Sequence, residues 1–338
     1  MLLQENFSLK PYNTFGIDVK SRYFATFENV EELQQLLKNP EIASSEKLIL
    51  GGGSNVLFTQ DFGGAVLKNN IRGIKILAQD EDFAWVKAGS GEVWHEMVLY
   101  CIEHGLAGVE NLSLIPGTVG AAPLQNIGAY GVELKDVFDS LDAVNVDTGK
   151  LETFEKEACE FGYRESYFKK AGKGKYIIVS VTLKLRKKPE FNTSYGDIQK
   201  TLAAMEITDL NIKAISQAVC AIRKSKLPDP AVIGNAGSFF KNPEVDKTVF
   251  DELKKLHPEM PGYVVSESKV KVPAGWLIEQ LGWKGKQIDN YGVHKNQALV
   301  LVNYGGAEGN KIKQLAHEII ASVKGKFGIE LTPEVNIH

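Results

Sequence analysis

Two glycine-rich segments are the part of the chain whose residue types point most directly to ligand chemistry. The first is Gly51–Asn55, with the sequence GGGSN, and the second is Leu114–Gly131, in which small residues dominate and no residue is charged. Because glycine has no Cβ, its backbone N–H groups can approach an anion closely and form a binding nest. The segments therefore indicate either a surface where the backbone meets a ligand or tightly packed turns.

The first segment does not fit a Rossmann dinucleotide site. That motif requires a strand, the pattern G-x-G-x-x-G and then a helix whose N-terminus meets the pyrophosphate. Here Gly51–Gly53 is followed by the apolar run Val56–Phe58 and more strand-like sequence, without a 3.6-residue period or a Walker lysine. An anion nest at this place would have to form without a helix.

The motifs do not indicate a nucleophilic catalytic site or a metal site. Ser-x-x-Lys occurs at Ser166, Ser238 and Ser266, but no Lys-Thr-Gly partner of a β-lactamase-type acyl-enzyme is present. His95-Glu96 lacks the second histidine of an H-E-x-x-H zinc site. We therefore expect no metal, and we interpret His95 and His104 as solvated or capping residues of one helix.

The elements that must position these residues alternate between helix and strand patterns. Asn29 followed by Glu32 is typical of a helix N-cap, and Pro273 is a good first residue for another helix. Further helical patterns cover Trp94–Ile102, Ile212–Ile222 and Ile312–Val323, and strand patterns cover Leu141–Val146, Tyr176–Leu185 and Leu299–Val302. The pattern predicts an α+β or α/β protein of at least two domains, with a boundary after the basic run that ends at Lys188.

Composition bounds the class of protein. The chain has 338 residues, 43% hydrophobic and 24% charged, and a formal net charge of -3, as is usual for globular proteins. This balance gives no reason to bind nucleic acid or an anionic membrane. The sequence predicts no secretory signal, it has no run of about 18 apolar residues, and Cys101, Cys159 and Cys220 form no C-x-x-C pair. We expect a cytoplasmic protein.

Several segments, in the same order along nearly the whole chain, resemble one enzyme family. They are Pro11–Ile17, Leu50–Phe58, Asn111–Gly131, Phe161–Ser166, Gly234–Pro243, Ala274–Ile278, His294–Gln297 and Pro333–Val335. Together they are similar to the UDP-N-acetylenolpyruvoylglucosamine reductases, in their type I subclass.

The resemblance implies an α+β fold with an FAD-binding domain of the PCMH or vanillyl-alcohol-oxidase type and a C-terminal α+β substrate-binding domain. The first would cover residues 1–188, as subdomains of about 1–70 and 71–188, and the second 189–338, with the last residues returning to the active site. It also implies non-covalent FAD and NADPH as co-substrate. The implied cofactor-binding residues are Gly51, Gly52, Gly53, Ser54, Asn55, Ile115, Pro116, Gly117, Gly120 and Ala121.

The implied reaction reduces the enolpyruvyl ether of UDP-N-acetylglucosamine to UDP-N-acetylmuramate in peptidoglycan precursor synthesis. By resemblance, Ser238 matches the proton donor, and Arg164 and Glu334 match the pair that flanks the substrate carboxylate. Substrate binding is implied for Tyr130, Tyr195, Lys226, Asn242 and Gln297, with Tyr195 on a loop that closes over the diphosphate.

Two alternatives remain from the sequence: another FAD oxidoreductase of the same superfamily, and a sugar-nucleotide-binding regulator without catalysis. Arg164, Ser238 and Glu334 together favour the reductase over both. The chain departs from some relatives at Asn336, where they have an arginine, so no arginine role near the cofactor is expected. We expect a monomer whose ligands are a sugar nucleotide and NADPH.

Overall fold

A computed structural model describes residues 2–195 and 197–338. The strands in chain order are β1 Gln4–Ser8, β2 Lys20–Phe27, β3 Lys47–Leu50, β4 Val56–Leu57, β5 Phe62–Asn69, β6 Ile74–Gln79, β7 Phe83–Gly89, β8 Gly128–Ala129, β9 Val132–Glu133, β10 Phe138–Asn145, β11 Leu151–Glu155, β12 Tyr176–Arg186, β13 Gly234–Ser238, β14 Glu244–Asp246, β15 Tyr263–Val264, β16 Lys269–Lys271, β17 Gln287–Ile288, β18 Tyr291–Val293, β19 Val300–Asn303 and β20 Asn336–Ile337. The α-helices are α1 Val30–Lys38, α2 Pro40–Ala43, α3 Trp94–Glu103, α4 Ile198–Ala204, α5 Ile212–Lys226, α6 Lys247–Leu256, α7 Ala274–Gln280 and α8 Gly309–Phe327.

The chain divides into two compact units. The first consists of Met1–Phe7, Ser21–Gly53 and Gly63–Lys224, and the second of Ser8–Lys20, Ser54–Phe62 and Ser225–His338. Residues 189–224 thus belong to the first unit by their contacts. Whether 188 separates cofactor binding from substrate binding stays a prediction.

In the described part of the chain, the first unit contains two larger sheets and the short hairpin β8-β9. The order β1-β2-β5-β3 forms one sheet, in which β3 and β5 run parallel, and α1 buries Leu33, Leu36 and Leu37 in its core. The order β11-β10-β12-β7-β6 forms an antiparallel sheet, and α3 buries Trp94 and Met97 in the core beside it. A third cluster joins α4 and α5.

The second unit is built on the sheet β13-β19-β18-β17, against which α8 packs. A three-stranded sheet β14-β16-β15 and the parallel pair β4-β20 complete its strands. The periodicity of 312–323 predicted α8, and its residues Ile312, Leu315 and Ile319 are buried. None of the helices in the described part of the chain has the length and apolar character needed to cross a bilayer.

A local sequence signal explains the start of α1. The Oδ1 of Asn29 accepts the backbone N–H of Glu32 at 2.8 Å, which confirms the predicted cap of α1. Pro273 is the N-cap of α7 rather than its first residue, so that prediction was wrong by one position. Its ψ of 112° is extended, and the helical backbone begins at Ala274.

Candidate active site

The two glycine segments contact each other inside the first unit. A Cβ on Gly52 would lie 3.0 Å from the Cα of Gly117, and one on Gly51 would overlap the Oγ1 of Thr118. Gly53 and Gly117 have φ angles of 65° and 116°, which side chains disfavour. The strand β3 leads into this turn and no helix follows it, so the sequence argument against a Rossmann site is confirmed.

The second segment is also fixed against Ser90–Trp94, which connects β7 to α3. The backbone N–H of Trp94 donates to the carbonyl of Gly117 at 3.0 Å, and the N–H of Gly120 donates to that of Ser90 at 2.8 Å. A Cβ on Gly120 would lie 2.5 Å from the Cβ of Ser90. Three backbone segments therefore meet with no room for side chains. We call this junction the glycine cradle, and a cofactor diphosphate held there would have to be bound by main-chain N–H groups.

Leu114, at the start of the second segment, has a left-handed backbone with a φ of 59°. Two side chains form hydrogen bonds with its backbone. Its N–H donates to the Nδ1 of His95 at 2.9 Å, and its carbonyl accepts from the Nε of Arg223 at 3.2 Å. Burial lowers the pKa of His95, and the nearby Lys224 and Arg223 lower it further, although Glu96 opposes them. A neutral ring can accept the Leu114 N–H, so the solvated or capping role predicted for His95 was wrong.

Arg223 and His95 are residues that the sequence interpretation missed. Burial lowers the pKa of Arg223, and Tyr130 lies close enough to its charge to oppose that effect. The sequence did contain a signal for Arg223. It lies four residues after Val219, so it falls on the apolar stripe of α5. A charged residue there must reach a polar partner, which proves to be the Leu114 carbonyl.

Arg164 lies in a tight turn of the first unit. Gly162 and Glu165 exchange backbone hydrogen bonds of 3.0 and 3.2 Å, and Arg164 between them has a φ of 55°. Its Nη2 donates to the carbonyl of Gly128 at 2.7 Å, and its guanidinium carbon lies 5.3 Å from the ring centroid of Tyr163. The turn and the hydrogen bond together set where the guanidinium points.

Tyr130 and Tyr195 belong to the same unit and lie close together. Tyr130, with a φ of 49°, forms with Gly131 the turn between β8 and β9 and packs against the cluster of α4 and α5. A Cβ on Gly131 would lie 3.3 Å from the Cβ of Tyr195, whose side chain is 48% exposed. Gly196, which follows in the predicted closing loop, lies outside the described residues.

Ser238 and Glu334 are brought together in the second unit. Ser238 ends β13, and the carbonyl of the next residue, Phe239, accepts the backbone N–H of Glu334 at 2.8 Å. Phe240 and Pro333 extend this pairing as an antiparallel bridge. Both Ser238 and Glu334 are half-buried, and this pairing places their backbones on adjacent segments of the chain.

Asn55 lies next to the same pair. Its Nδ2 donates to the carbonyl of Glu334 at 3.3 Å, and its own carbonyl accepts the Nδ2 of Asn336 at 3.0 Å. The parallel pairing of β4 with β20 sets this arrangement. Asn336 therefore fixes the Asn55 backbone, a contact that the comparison with arginine-bearing relatives did not suggest.

Asn242 and Gln297 both lie at the start of α7. The Oδ1 of Asn242 accepts the N–H of Ala274 at 2.9 Å, and a Cβ on Gly275 would lie 3.4 Å from the Oε1 of Gln297. Lys226, at the end of α5, is exposed. The fold thus places the amides together.

Comparison with known proteins identifies the family. Over 337 residues the chain is 54% identical to the UDP-N-acetylenolpyruvoylglucosamine reductase of Amoebophilus asiaticus, covering 100% of this chain and 99% of that one. It is 52% identical to the enzyme of that name from Flavobacterium johnsoniae over 338 residues, covering 100% of both. The chain belongs to the UDP-N-acetylenolpyruvoylglucosamine reductase family.

Two family models match separate parts of this reductase. One, described as an FAD binding domain, matches residues 21–155, and the other, described as the C-terminal domain of UDP-N-acetylenolpyruvoylglucosamine reductase, matches 229–338. The crystal structure of the Thermus caldophilus reductase superposes with a TM-score of 0.69 at 23% identity, covering 100% of this chain and 99% of that one, which supports the fold. The predicted α+β fold class and FAD are confirmed.

Gly52→Val in this reductase should weaken FAD binding while the fold remains. The new side chain would push against the Gly117 backbone, and overpacking costs about 1–3 kcal/mol. A cost of this size borne by the FAD-bound state lowers the affinity for FAD roughly 5- to 150-fold. The matched control is Gly63→Val in β5, where a Cβ would meet no atom within 4 Å. Fluorescence titration of the apoprotein with FAD measures the effect. Equal affinities for both variants would contradict the cradle.

Proposed function

We propose that this protein reduces the enolpyruvyl ether of UDP-N-acetylglucosamine to UDP-N-acetylmuramate, with bound FAD and with NADPH as the reductant, in peptidoglycan precursor synthesis. The observation that carries the proposal is the full-length similarity to reductases of that name, at 54% and 52% identity. The glycine cradle of the first unit supports the cofactor. The Ser238–Glu334 pair supports the chemistry.

The reaction requires a charge to be held and a proton to be delivered. When bound, FAD supplies hydride-transfer chemistry, and the protein supplies orientation, charge stabilisation and the proton. Addition of hydride to the terminal enol-ether carbon shifts negative charge towards the carbon that bears the carboxylate. We assign the proton for that carbon to the Oγ of Ser238.

The substrate carboxylate needs a cationic partner as this charge develops. We assign that role to Arg164, because a guanidinium holds a carboxylate through two parallel hydrogen bonds. Its Nη2 bond to the Gly128 carbonyl orients the group before substrate arrives. Glu334 is proposed to flank the same carboxylate, from its position beside the Ser238 strand end.

Binding roles for the remaining predicted residues are part of this proposal. The glycine segments, with Ser54, Asn55, Ile115, Pro116 and Ala121, are assigned to FAD. Asn242 and Gln297 are assigned to the sugar nucleotide because their side chains converge at the start of α7. Lys226 and Tyr130 complete this set.

Separate measurement of the two half-reactions tests the function. Anaerobic NADPH should bleach the flavin absorbance, and the enolpyruvyl substrate should then restore it and yield a product with two more hydrogen atoms. Bleaching without reoxidation by this substrate would favour another FAD oxidoreductase. A purified protein without flavin bands would favour a non-catalytic regulator.

The FAD is proposed to be non-covalently bound. No histidine or cysteine occurs within Gly51–Asn55 or Ile115–Ala122, so these loops offer no usual attachment residue. Acid precipitation should release all the yellow colour into the supernatant. Colour retained in the pellet would contradict non-covalent binding.

Tyr195→Phe should raise the KM for the enolpyruvyl substrate and leave flavin reduction by NADPH nearly unchanged. The hydroxyl of this half-exposed residue is proposed to donate to the substrate diphosphate, and one such hydrogen bond is worth about 0.5–1.5 kcal/mol, or roughly 2- to 13-fold in KM. Steady-state kinetics gives the KM, and stopped-flow absorbance gives the reduction rate. An unchanged KM would mean that the tyrosine only packs.

A cytoplasmic location and a monomeric state are proposed with the function. UDP-sugars and NADPH are soluble metabolites, so an enzyme that uses both is expected where they are made. Sedimentation of the holoenzyme checks the monomer.

A further inference from the structure

One buried amide ties two remote segments of the first unit together. Asn111 is 1% exposed, and its Nδ2 donates to the carbonyl of Tyr130 at 2.9 Å and to that of Asn192 at 2.8 Å. The Nδ2 of Asn192 in turn donates to the carbonyl of Gly131 at 3.1 Å. Three hydrogen bonds thus join the Tyr130–Gly131 turn to the segment that leads into Tyr195.

The junction made by these hydrogen bonds has an open side and a closely packed side. Gly131 and Asn192 line a cavity of about 600 Å³, so one side of the junction has few supporting side chains. On the other side the fit is close, since a Cβ on Gly131 would lie 2.9 Å from the Nδ2 of Asn192. Loss of one of these hydrogen bonds would remove a donor from its carbonyl and weaken the junction.

The same hairpin contacts Arg164 at its other end. The hairpin β8-β9 pairs Gly128 with Glu133 and Ala129 with Val132, so it is very short. Its first residue, Gly128, accepts the Nη2 of Arg164 at 2.7 Å, and a Cβ there would lie 2.9 Å from Nη1. One hairpin therefore contacts Arg164 at its stem and the Tyr195 segment at its tip.

We propose that Asn111 is a positioning residue that, together with Asn192, sets the position of Tyr195 against the hairpin and through it couples Tyr195 to Arg164. A ligand diphosphate that engages Tyr195 then also stabilises the orientation of Arg164. The inference rests on the proposed function, because it takes its two ends to be a substrate-binding tyrosine and a carboxylate-binding arginine. The proposal assigns a role to two asparagines, neither of which is proposed to contact the diphosphate or the carboxylate of the substrate.

Binding of UDP-N-acetylglucosamine to the holoenzyme, measured by calorimetry, tests the proposal without turnover. Asn192→Ala, which loses the hydrogen bond to Gly131, should raise its Kd about 3- to 10-fold. Asn111→Ser, which loses two hydrogen bonds, should raise the Kd at least as much. In a Tyr195→Phe background the same replacements should have almost no further effect, because they act through Tyr195. The matched control is Asn145→Ala, which removes turn hydrogen bonds to Asp147 and Thr148 and should leave the Kd unchanged.

The kinetic arm tests the coupling to Arg164. Asn192→Ala should lower kcat for substrate reduction in the wild type and have little further effect in an Arg164→Lys background. Equal effects in parent and variant backgrounds, or an unchanged Kd for a folded Asn192→Ala protein, would overturn the proposal. Because Asn192 is only partly buried, we expect Asn192→Ala to fold. It therefore tests the proposal even if Asn111→Ser does not fold. Wild-type protein that neither binds the UDP-sugar nor reduces the enolpyruvyl substrate would overturn the proposed function itself.

Discussion

Ser238→Ala should slow reoxidation of the reduced flavin by the enolpyruvyl substrate about 10²- to 10⁴-fold, the usual effect of losing a general acid. Reduction of the flavin by NADPH needs no proton at the substrate carbon, so its rate should stay close to normal. Ser238→Cys should recover part of the activity, because a thiol can also donate a proton. Stopped-flow absorbance of the flavin, one half-reaction at a time, measures both rates.

The control for Ser238 is Ser266→Ala, which changes an exposed serine in the same Ser-x-x-Lys pattern and should alter neither half-reaction. Equal slowing of both halves in Ser238→Ala would mean that the flavin site had been disturbed. Normal reoxidation would remove Ser238 from the mechanism. If the Ser238 hydroxyl had only a structural role, its removal would lower the free energy of unfolding by only about 0.5–1.5 kcal/mol.

Arg164→Lys should slow reoxidation about 10²- to 10³-fold, as is typical when a preorganised donor to a developing negative charge is lost. Lysine keeps the positive charge, but it cannot bind a carboxylate through two parallel N–H groups while also donating to the Gly128 carbonyl. The KM for the enolpyruvyl substrate should rise as well, since the arginine is proposed to contact the carboxylate in the ground state too.

Arg22→Lys is the matched control for Arg164. Arg22 also lies over a neighbouring tyrosine, with its guanidinium carbon 5.1 Å from the ring centroid of Tyr23, but it is exposed on β2. Its replacement should leave both half-reactions unchanged. Rates for Arg164→Lys that match those of Arg22→Lys would mean that Arg164 only stacks on Tyr163.

The sequence predicts most of what depends on local signals. The cap at Asn29 and the stripe of α8 follow from short-range patterns, and the glycines at 51–53 and 117 follow from the requirement for close backbone contact. Pairings between distant segments leave no such pattern. The bridge from Phe240 to Pro333 that brings Glu334 beside Ser238 is one example, and the double hydrogen bond of Asn111 is another.

Residues that support the site were the hardest to predict. His95 has an ordinary place on α3, and its role depends on a Leu114 N–H presented by a loop that the helix pattern does not describe. Arg223 interrupts an apolar stripe, which is a visible signal, but its partner is a backbone carbonyl and so has no sequence signature. Family resemblance identified residues proposed to touch ligand, whereas these two act through the backbone.

The left-handed backbones of Leu114, Tyr130 and Arg164 have a consequence for heat tolerance. For a residue with a Cβ this conformation costs about 1–2 kcal/mol, and here it occurs three times at positions tied to the candidate site. The hydrophobic cores must offset this local strain, so the melting temperature of the enzyme is lower than its packing alone would allow. Adaptation of this reductase to hot environments by relaxing these turns would trade alignment of the reacting groups for stability, and variants selected for thermostability should therefore change elsewhere.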